Sequence, residues 1–353
     1  MTSMIITGIY RSGTTLLQKM LDANPRVSVM NHGMAGYFQM MKPYLFERAA
    51  VDNNEAPLGF HWIEPDSEIA SLFTGTEFDQ SLIDDLLTRV DREISEDRSR
   101  AGNVSHPTND WLSELKNTLT PGTAEDVLNQ QISSVVGYKN SSDVEIYGFK
   151  ELHLEQFVAP MLTGNPDLNV IQIIRDPRAV LASRNFSKSF LETRGAGAKH
   201  PIRLISSVWA TGIRYKHYLE KAFPDSFMSV NYESLVRSPE PQSRAICKFL
   251  GVDWDPVMLD VSSFRSEVGQ TWEPNSSFGK LEGFDQSAIE KWREILPDRE
   301  HAVMEYLCGD LLNEEGYKNT FDFEHQEAEF NAYNEDPSEL VPWSRQSLLQ
   351  IHP

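Results

Sequence analysis

The stretch MIITGIYRSGTTLLQKMLDANP, residues 4–25, constrains this chain more than any other. An apolar run enters a turn bounded by Gly8 and Gly13 and leaves it on a helical pattern that begins at Thr14. Strand, glycine turn and helix in that order form a phosphate-binding loop, in which backbone N–H groups and a helix N-terminus face an anion. The spacing fits G-x-x-x-x-G-K-[ST] as far as Gly13, but Thr14 stands where the lysine belongs. That lysine would reach the β- and γ-phosphates of a magnesium nucleotide. Here the cation is Arg11, inside the loop, and Ser12, Thr14 and Thr15 add hydroxyls. This set suits a compact terminal anion at a nucleotide 5′ position.

Four more apolar runs read as strands: VSVMN (27–31), EIYGFK (145–150), NVIQIIR (169–175) and SFMSVNY (226–232). Helical patterns lie between them, at 14–23 and 177–186. Strands alternating with helices predict an α/β fold with a mostly parallel sheet. Residues 50–140 break the rhythm. In 79–94, Leu82, Ile83, Leu86, Leu87 and Val90 form one apolar stripe, and 110–119 reads as another helix. The expectation is a helical insertion over one end of the sheet, where an acceptor pocket would be built. The Met and aromatic run at 34–46 reads as core. One domain over 1–321, insertion included, is followed by an acidic tail at 322–353 containing Pro337 and Pro342.

A second anion site is legible in VIQIIRDPRAVLASRN, residues 170–185. Arg175 closes a strand, Asp176 can cap the next helix and Pro177 suits its first position. Ser183 follows Arg175 by about two helical turns and returns to the face that starts the helix. Arg178 and Arg184 lie on the same helix and could assist a phosphate or form surface ion pairs. Two separate anion sites imply a ligand with anionic groups at opposite ends of a ribose.

These residues carry a resemblance. YRSGTT is similar to the 5′-phosphosulfate loop of sulfotransferases that use 3′-phosphoadenosine-5′-phosphosulfate (PAPS), and IRDPRAVLASRN resembles their 3′-phosphate motif. MSVNYESLVRSPEPQSRAICKFLGVDWDP (228–256) is similar to the family's strand–Tyr–Glu–x-Leu-Val segment and following helix. NSSFGKLEGFDQSAIEKWREIL (275–296) resembles its cofactor-covering loop and Trp helix. The arginine-bearing loop and LDANPRV look most like the branch of tyrosylprotein sulfotransferases and related bacterial enzymes. The resemblance implies a P-loop-NTPase-like sulfotransferase fold, PAPS as donor, its desulfated product PAP (3′-phosphoadenosine-5′-phosphate), and no metal. Carried over residue by residue, it puts Arg11, Ser12, Gly13, Thr14 and Thr15 around the 5′ end. Arg175 and Ser183 would take the 3′-phosphate, and Tyr232, Ser277 and Lys291 would complete the shell.

Sulfuryl transfer needs a base for the acceptor proton and cations for the charge that develops on oxygen. His32 is the first choice of base, because it follows strand 27–31 at the end where a parallel sheet builds its site. By ungapped counting from Arg11 it falls where the tyrosylprotein branch has its catalytic glutamate. Imidazole, with an ordinary pKa of about 6.5, suits that task, although a lone loop histidine is ordinarily hydrogen-bonded to backbone. Glu151 and His153 are the runners-up. Lys150 ends a strand near where family members place a catalytic lysine, and Arg11 supplies further positive charge. Glu151 and Leu152 stand after Lys150 where the family often has Ser/Thr-Pro.

A net charge of −20 counts against nucleic acid or an anionic membrane as partner. It favours a neutral or cationic acceptor: a small molecule, a sugar or a peptide tyrosine, sulfated on a hydroxyl or an amine. No apolar run approaches the roughly 18 residues of a membrane span. With a strand beginning by Met4 and two unlinked cysteines, Cys247 and Cys308, the expected location is cytoplasmic. The sequence assigns no oligomeric state. Two other readings remain open at this point: a small-molecule kinase built on the same strand–loop–helix, and a non-catalytic nucleotide-binding relative.

Overall fold

The computed structural model describes residues 2–48, 72–73, 75–99, 108–139, 143–183, 202–266, 269–272 and 284–335. The five apolar runs form one sheet from β1 (Thr2–Thr7), β2 (Val27–Asn31), β5 (Ile146–Lys150), β6 (Leu168–Ile174) and β7 (Phe227–Asn231). A separate antiparallel pair joins β3 (Glu77–Phe78) to β4 (Gly122–Thr123). The five-strand order is β2-β5-β1-β6-β7, and every pairing in it is parallel.

Parallel pairing explains why the runs are predominantly apolar and do not alternate strictly with polar residues. Successive side chains point to opposite faces, and helices cover both faces of such a sheet. Met4, Ile6, Ile171 and Ile173 pack on one side with Leu17 and Leu21 of α1 (Thr14–Asp22). Ile5, Val170 and Phe149 pack on the other. That second face carries α2 (Ala35–Arg48), α3 (Gln80–Ser99), α4 (Asn109–Thr118) and α5 (Ala124–Lys139). The described part of the expected insertion consists of helices and the short β3–β4 pair, and it is continuous with the core. Trp111 of α4 meets Phe149 of β5 edge-on, and the Tyr37 hydroxyl donates to the Ala124 carbonyl. The Met and aromatic run is core too, with Met34, Tyr37, Phe38 and Met41 buried.

Beyond β5 come α6 (Glu155–Gly164), α7 (Pro177–Leu181) and α8 (Ile202–Ala222). After β7 come α9 (Tyr232–Arg237), α10 (Pro239–Leu250), α11 (Asp298–Cys308) and α12 (Phe323–Glu335). Helix α7 stops at Leu181, short of the predicted 186, and the chain from 184 to 200 lies outside the described residues. The first part of the acidic tail is helix α12, which docks beside α11 and buries Gln326 and Tyr333. Pro337 and Pro342 lie outside the described residues.

Candidate active site

The C-terminal ends of all five parallel strands supply the candidate residues. Arg11, Ser12 and Gly13 follow β1, His32 follows β2, Lys150 ends β5, Arg175 follows β6 and Tyr232 follows β7. In open parallel sheets this edge is where ligands bind. Among the described residues, the non-glycine positions with left-handed backbone are Arg11 (φ 59°), His32 (φ 62°) and His153 (φ 60°). Each follows one of the adjacent strands β1, β2 and β5. Such backbone costs on the order of 1–3 kcal/mol per residue and clusters at functional sites.

The loop after β1 is braced from within. Ser12 is fully buried and donates its hydroxyl to the Ile9 carbonyl at 2.7 Å, so in this conformation it shapes the loop. Gly13 (φ 99°) precedes α1, and a Cβ there would lie 2.3 Å from Tyr232 Cδ2. Only glycine lets the loop sit this close to that ring. Thr14 opens α1 and is buried, while Thr15 is half-buried.

Tertiary structure joins the two predicted anion sites. Arg11 Nε donates to Ser183 Oγ at 2.9 Å across 172 residues of sequence. Arg175 donates from a terminal nitrogen to the Arg11 carbonyl at 2.8 Å, and its guanidinium lies 4.3 Å from the centre of the Tyr232 ring. Burial first, and then repulsion from Arg175, lower the Arg11 pKa to about 10, with Tyr232 opposing them. Two guanidinium groups held this close make a site that an anion would stabilise.

A second cluster lies next to the loop. His32 Nε2 is 2.9 Å from Lys150 Nζ, and His32 Nδ1 is 2.9 Å from Glu151 Oε1. The His32 amide donates to the Lys150 carbonyl at 2.8 Å, which fixes the turn that carries the ring. Glu151 also accepts from the Met34 and Leu152 amides. Burial pushes the Glu151 carboxyl up, but His32, Lys150 and the Leu152 amide outweigh it and hold it at about 2. Backbone bonds from Glu151 to Ile6 and from His153 to Gly8 tie this cluster to β1 and its loop. The His153 ring packs edge-on against Tyr10, with ring centres 4.0 Å apart.

The Arg178 expectation is corrected. Arg178 is a buried structural cation, 1% exposed, and neither a surface ion pair nor a ligand group. Its guanidinium pairs with Asp176 at 2.8 Å and Glu305 at 2.6 Å, donates to the Lys318 carbonyl, and lies over the Trp292 ring. The reason is local: Asp176 caps α7 through the Arg178 amide and so faces the Arg178 side chain. Lys291 sits between the short helical turns 287–290 and 292–295, beside Trp292 and within electrostatic reach of Asp285. Ser277 and Arg184 lie outside the described residues.

Sequence reading missed the residues that hold Arg175. The indole N–H of Trp209 donates to the Arg175 carbonyl at 3.0 Å. Glu233 accepts from the Asp176 amide at 3.0 Å and from the Tyr317 hydroxyl at 3.0 Å. Glu233 could have been found from its place next to Tyr232; Trp209 and Tyr317 carry no local signal.

Fold and site together define a parallel α/β protein with a glycine loop and two linked arginines at the C-terminal edge of its sheet. The model of the sulfotransferase family matches residues 4–256, and the chain belongs to that family. Carbohydrate sulfotransferase 3 of Homo sapiens is 29% identical over 185 residues, 46% of this chain and 36% of that protein. Carbohydrate sulfotransferase 1 of Mus musculus is 32% identical over 179 residues, 44% of this chain and 41% of that protein. The chain therefore spans less than half the length of these relatives. The sulfotransferase domain from the curacin biosynthetic pathway shares the fold, with a TM-score of 0.52 at 16% identity over 89% of this chain and 97% of that one.

Proposed function

We propose that this chain moves a sulfuryl group from PAPS to a hydroxyl of a carbohydrate or similar uncharged acceptor and releases PAP. The observation that carries this reading is the linkage of Arg11, Ser183 and Arg175 into one hydrogen-bonded cationic cluster beside the His32–Lys150 pair. The residues present fit the donor. The loop amides, Thr14 and Thr15 would hold its 5′ end, and Arg175 and Ser183 its 3′-phosphate, with Tyr232 as the floor beneath Arg175. PAPS supplies the sulfuryl group. The names of the relatives favour a carbohydrate acceptor.

His32 takes the acceptor hydroxyl proton at Nε2 as that oxygen bonds to sulfur. Lys150 Nζ lies 2.9 Å from this nitrogen. Withdrawal of Lys150 toward the leaving phosphate oxygen would expose Nε2 and place positive charge where negative charge develops, the kind of interaction that lowers a transition-state barrier. A kinase reading has less support. Thr14 replaces the P-loop lysine, and the Asp176 carboxylate after β6 is engaged by the Arg178 amide and guanidinium.

The test is a thermal-unfolding titration with PAP, Mg·ATP and AMP in parallel. A ligand at about 100 times its Kd adds roughly 2.7 kcal/mol of stability. Stabilisation by PAP well beyond that by AMP supports the reading. Stabilisation by Mg·ATP alone overturns it.

A further inference from the structure

His32 is bonded on both sides of its ring, and the two partners have opposite hydrogen-bonding character. Lys150 Nζ, 2.9 Å from Nε2, has donors and no acceptor as an ammonium. Glu151 Oε1, 2.9 Å from Nδ1, can only accept as a carboxylate. Both contacts are satisfied at once by one neutral tautomer, with the proton on Nδ1 and the lone pair on Nε2. Glu151 itself has little freedom. It is 4% exposed, its second oxygen accepts from the Met34 amide, and its own amide is bonded to Ile6 of β1.

We propose that Glu151 is the positioning residue of this site: its carboxylate holds the Nδ1–H tautomer of His32 and so makes Nε2 the nitrogen that receives the acceptor proton. This rests on the sulfotransferase reading above and extends it to a residue that touches no substrate. The balance of the step is simple. The acceptor O–H proton goes to Nε2, the acceptor oxygen bonds to sulfur, and the bond from sulfur to the donor phosphate oxygen breaks. The Nδ1 proton stays on the ring, hydrogen-bonded to Glu151, throughout. A carboxyl held at about 2 remains ionised and stabilises the imidazolium that forms. His32 has a left-handed backbone, so the ring is aimed by its turn as well as by Glu151.

The experiment reads the tautomer in the free protein, without turnover. The chain is labelled with ¹⁵N at histidine, and His32 is identified by comparison with His32→Asn. The expected spectrum at pH 8 shows a protonated Nδ1 and an unprotonated Nε2 for His32. In Glu151→Gln this pattern is lost or mixed, and in Glu151→Asp it is largely kept. A protonated Nε2 in the unmodified chain overturns the proposal, as does an unchanged pattern in Glu151→Gln.

Turnover of PAPS with N-acetylglucosamine or p-nitrophenol as probe acceptor gives the second readout. Glu151→Gln should lower kcat by about 10²-fold with little change in KM, and Glu151→Asp should recover part of the loss. Equal kcat in Glu151→Gln and the unmodified chain overturns the positioning role. If the tautomer result holds while His32→Ala keeps full turnover, the assignment of His32 as base fails and the hydrogen-bond assignment stands.

Discussion

Arg11 and Ser183, 172 residues apart, are joined by a 2.9 Å hydrogen bond from the guanidinium Nε to the serine hydroxyl. The bond ties the loop after β1 to the segment after α7, and Arg175 closes the link by donating to the Arg11 carbonyl. A ligand gripped at one of these groups therefore acts on a unit that includes the other.

Unequal effects on the two ends of the ligand are expected, because Arg175 would touch one end directly and braces the loop that holds the other. Arg175→Ala should weaken PAP binding by about 10- to 100-fold, the cost of a charge-assisted hydrogen bond of about 1.5–3 kcal/mol. AMP, which lacks the second phosphate, should lose clearly less, because what Arg175 gives the loop is a bond to the Arg11 carbonyl. Calorimetric titration of both ligands decides it, and equal losses for the two would remove Arg175 from the 3′ site.

His32→Ala should divide binding from chemistry. Loss of a general base costs about 10²–10⁴ in rate. His32→Ala should therefore turn over PAPS more slowly by that order while binding PAP with unchanged affinity. Single-turnover measurement with a probe acceptor is the check, and full activity in His32→Ala would reject it as base.

Arg178 makes a stability prediction. It is buried between Asp176 and Glu305, whose side chains are 7% and 0% exposed. Arg178→Met would leave two buried carboxylates without their cation, a change that costs about 3–5 kcal/mol. Urea unfolding at pH 7 measures it. Glu305 also accepts from the Thr320 and Phe321 amides and from Gln326, so the docking of α12 should loosen as well. Accelerated proteolysis within 317–335 would report this, and a loss below about 1 kcal/mol would contradict the assignment.

Two buried carboxyls should shape the pH dependence of stability in opposite ways. Burial raises the Glu305 carboxyl, but His301 and the Thr320 and Phe321 amides outweigh it and hold the group at about 2. Its folded value lies below the ordinary 4.5, so its stabilisation is present above that value and is lost as pH falls toward 2. Glu155 is fully buried, and burial raises it to about 7, its own backbone amide opposing. There the folded value lies above the unfolded one, so stability is lost as pH rises from about 4.5 through 7. Glu155→Gln should relieve that loss. The variant should gain on the unmodified chain between pH 5 and pH 8 in urea unfolding, by an amount on the order of 3 kcal/mol. A constant difference across that range would show that Glu155 does not titrate there.

The five strands were legible in the chain because a parallel sheet covered on both faces favours short, predominantly apolar runs, and VSVMN at 27–31 coincides with β2 residue for residue. The loop at Gly8–Gly13 and the cap at Asp176 were legible because each is local chemistry: a backbone conformation and a side chain bonding its neighbour's amide. Arg178 shows the limit of this. Its nearness to Arg175 in sequence suggested a ligand or surface role, and only the arrival of Glu305, 127 residues later, made it a buried structural cation. Likewise Lys150, Glu151 and His32 were each candidates on sequence grounds, but nothing in their order said that one ring would bridge the other two. That was decided by the register that sets Asn31 of β2 beside Lys150 of β5. Periodicity and local bonding are written along the chain, whereas a site at a sheet edge depends on which strands are neighbours, and that is settled only when the whole sheet closes its core.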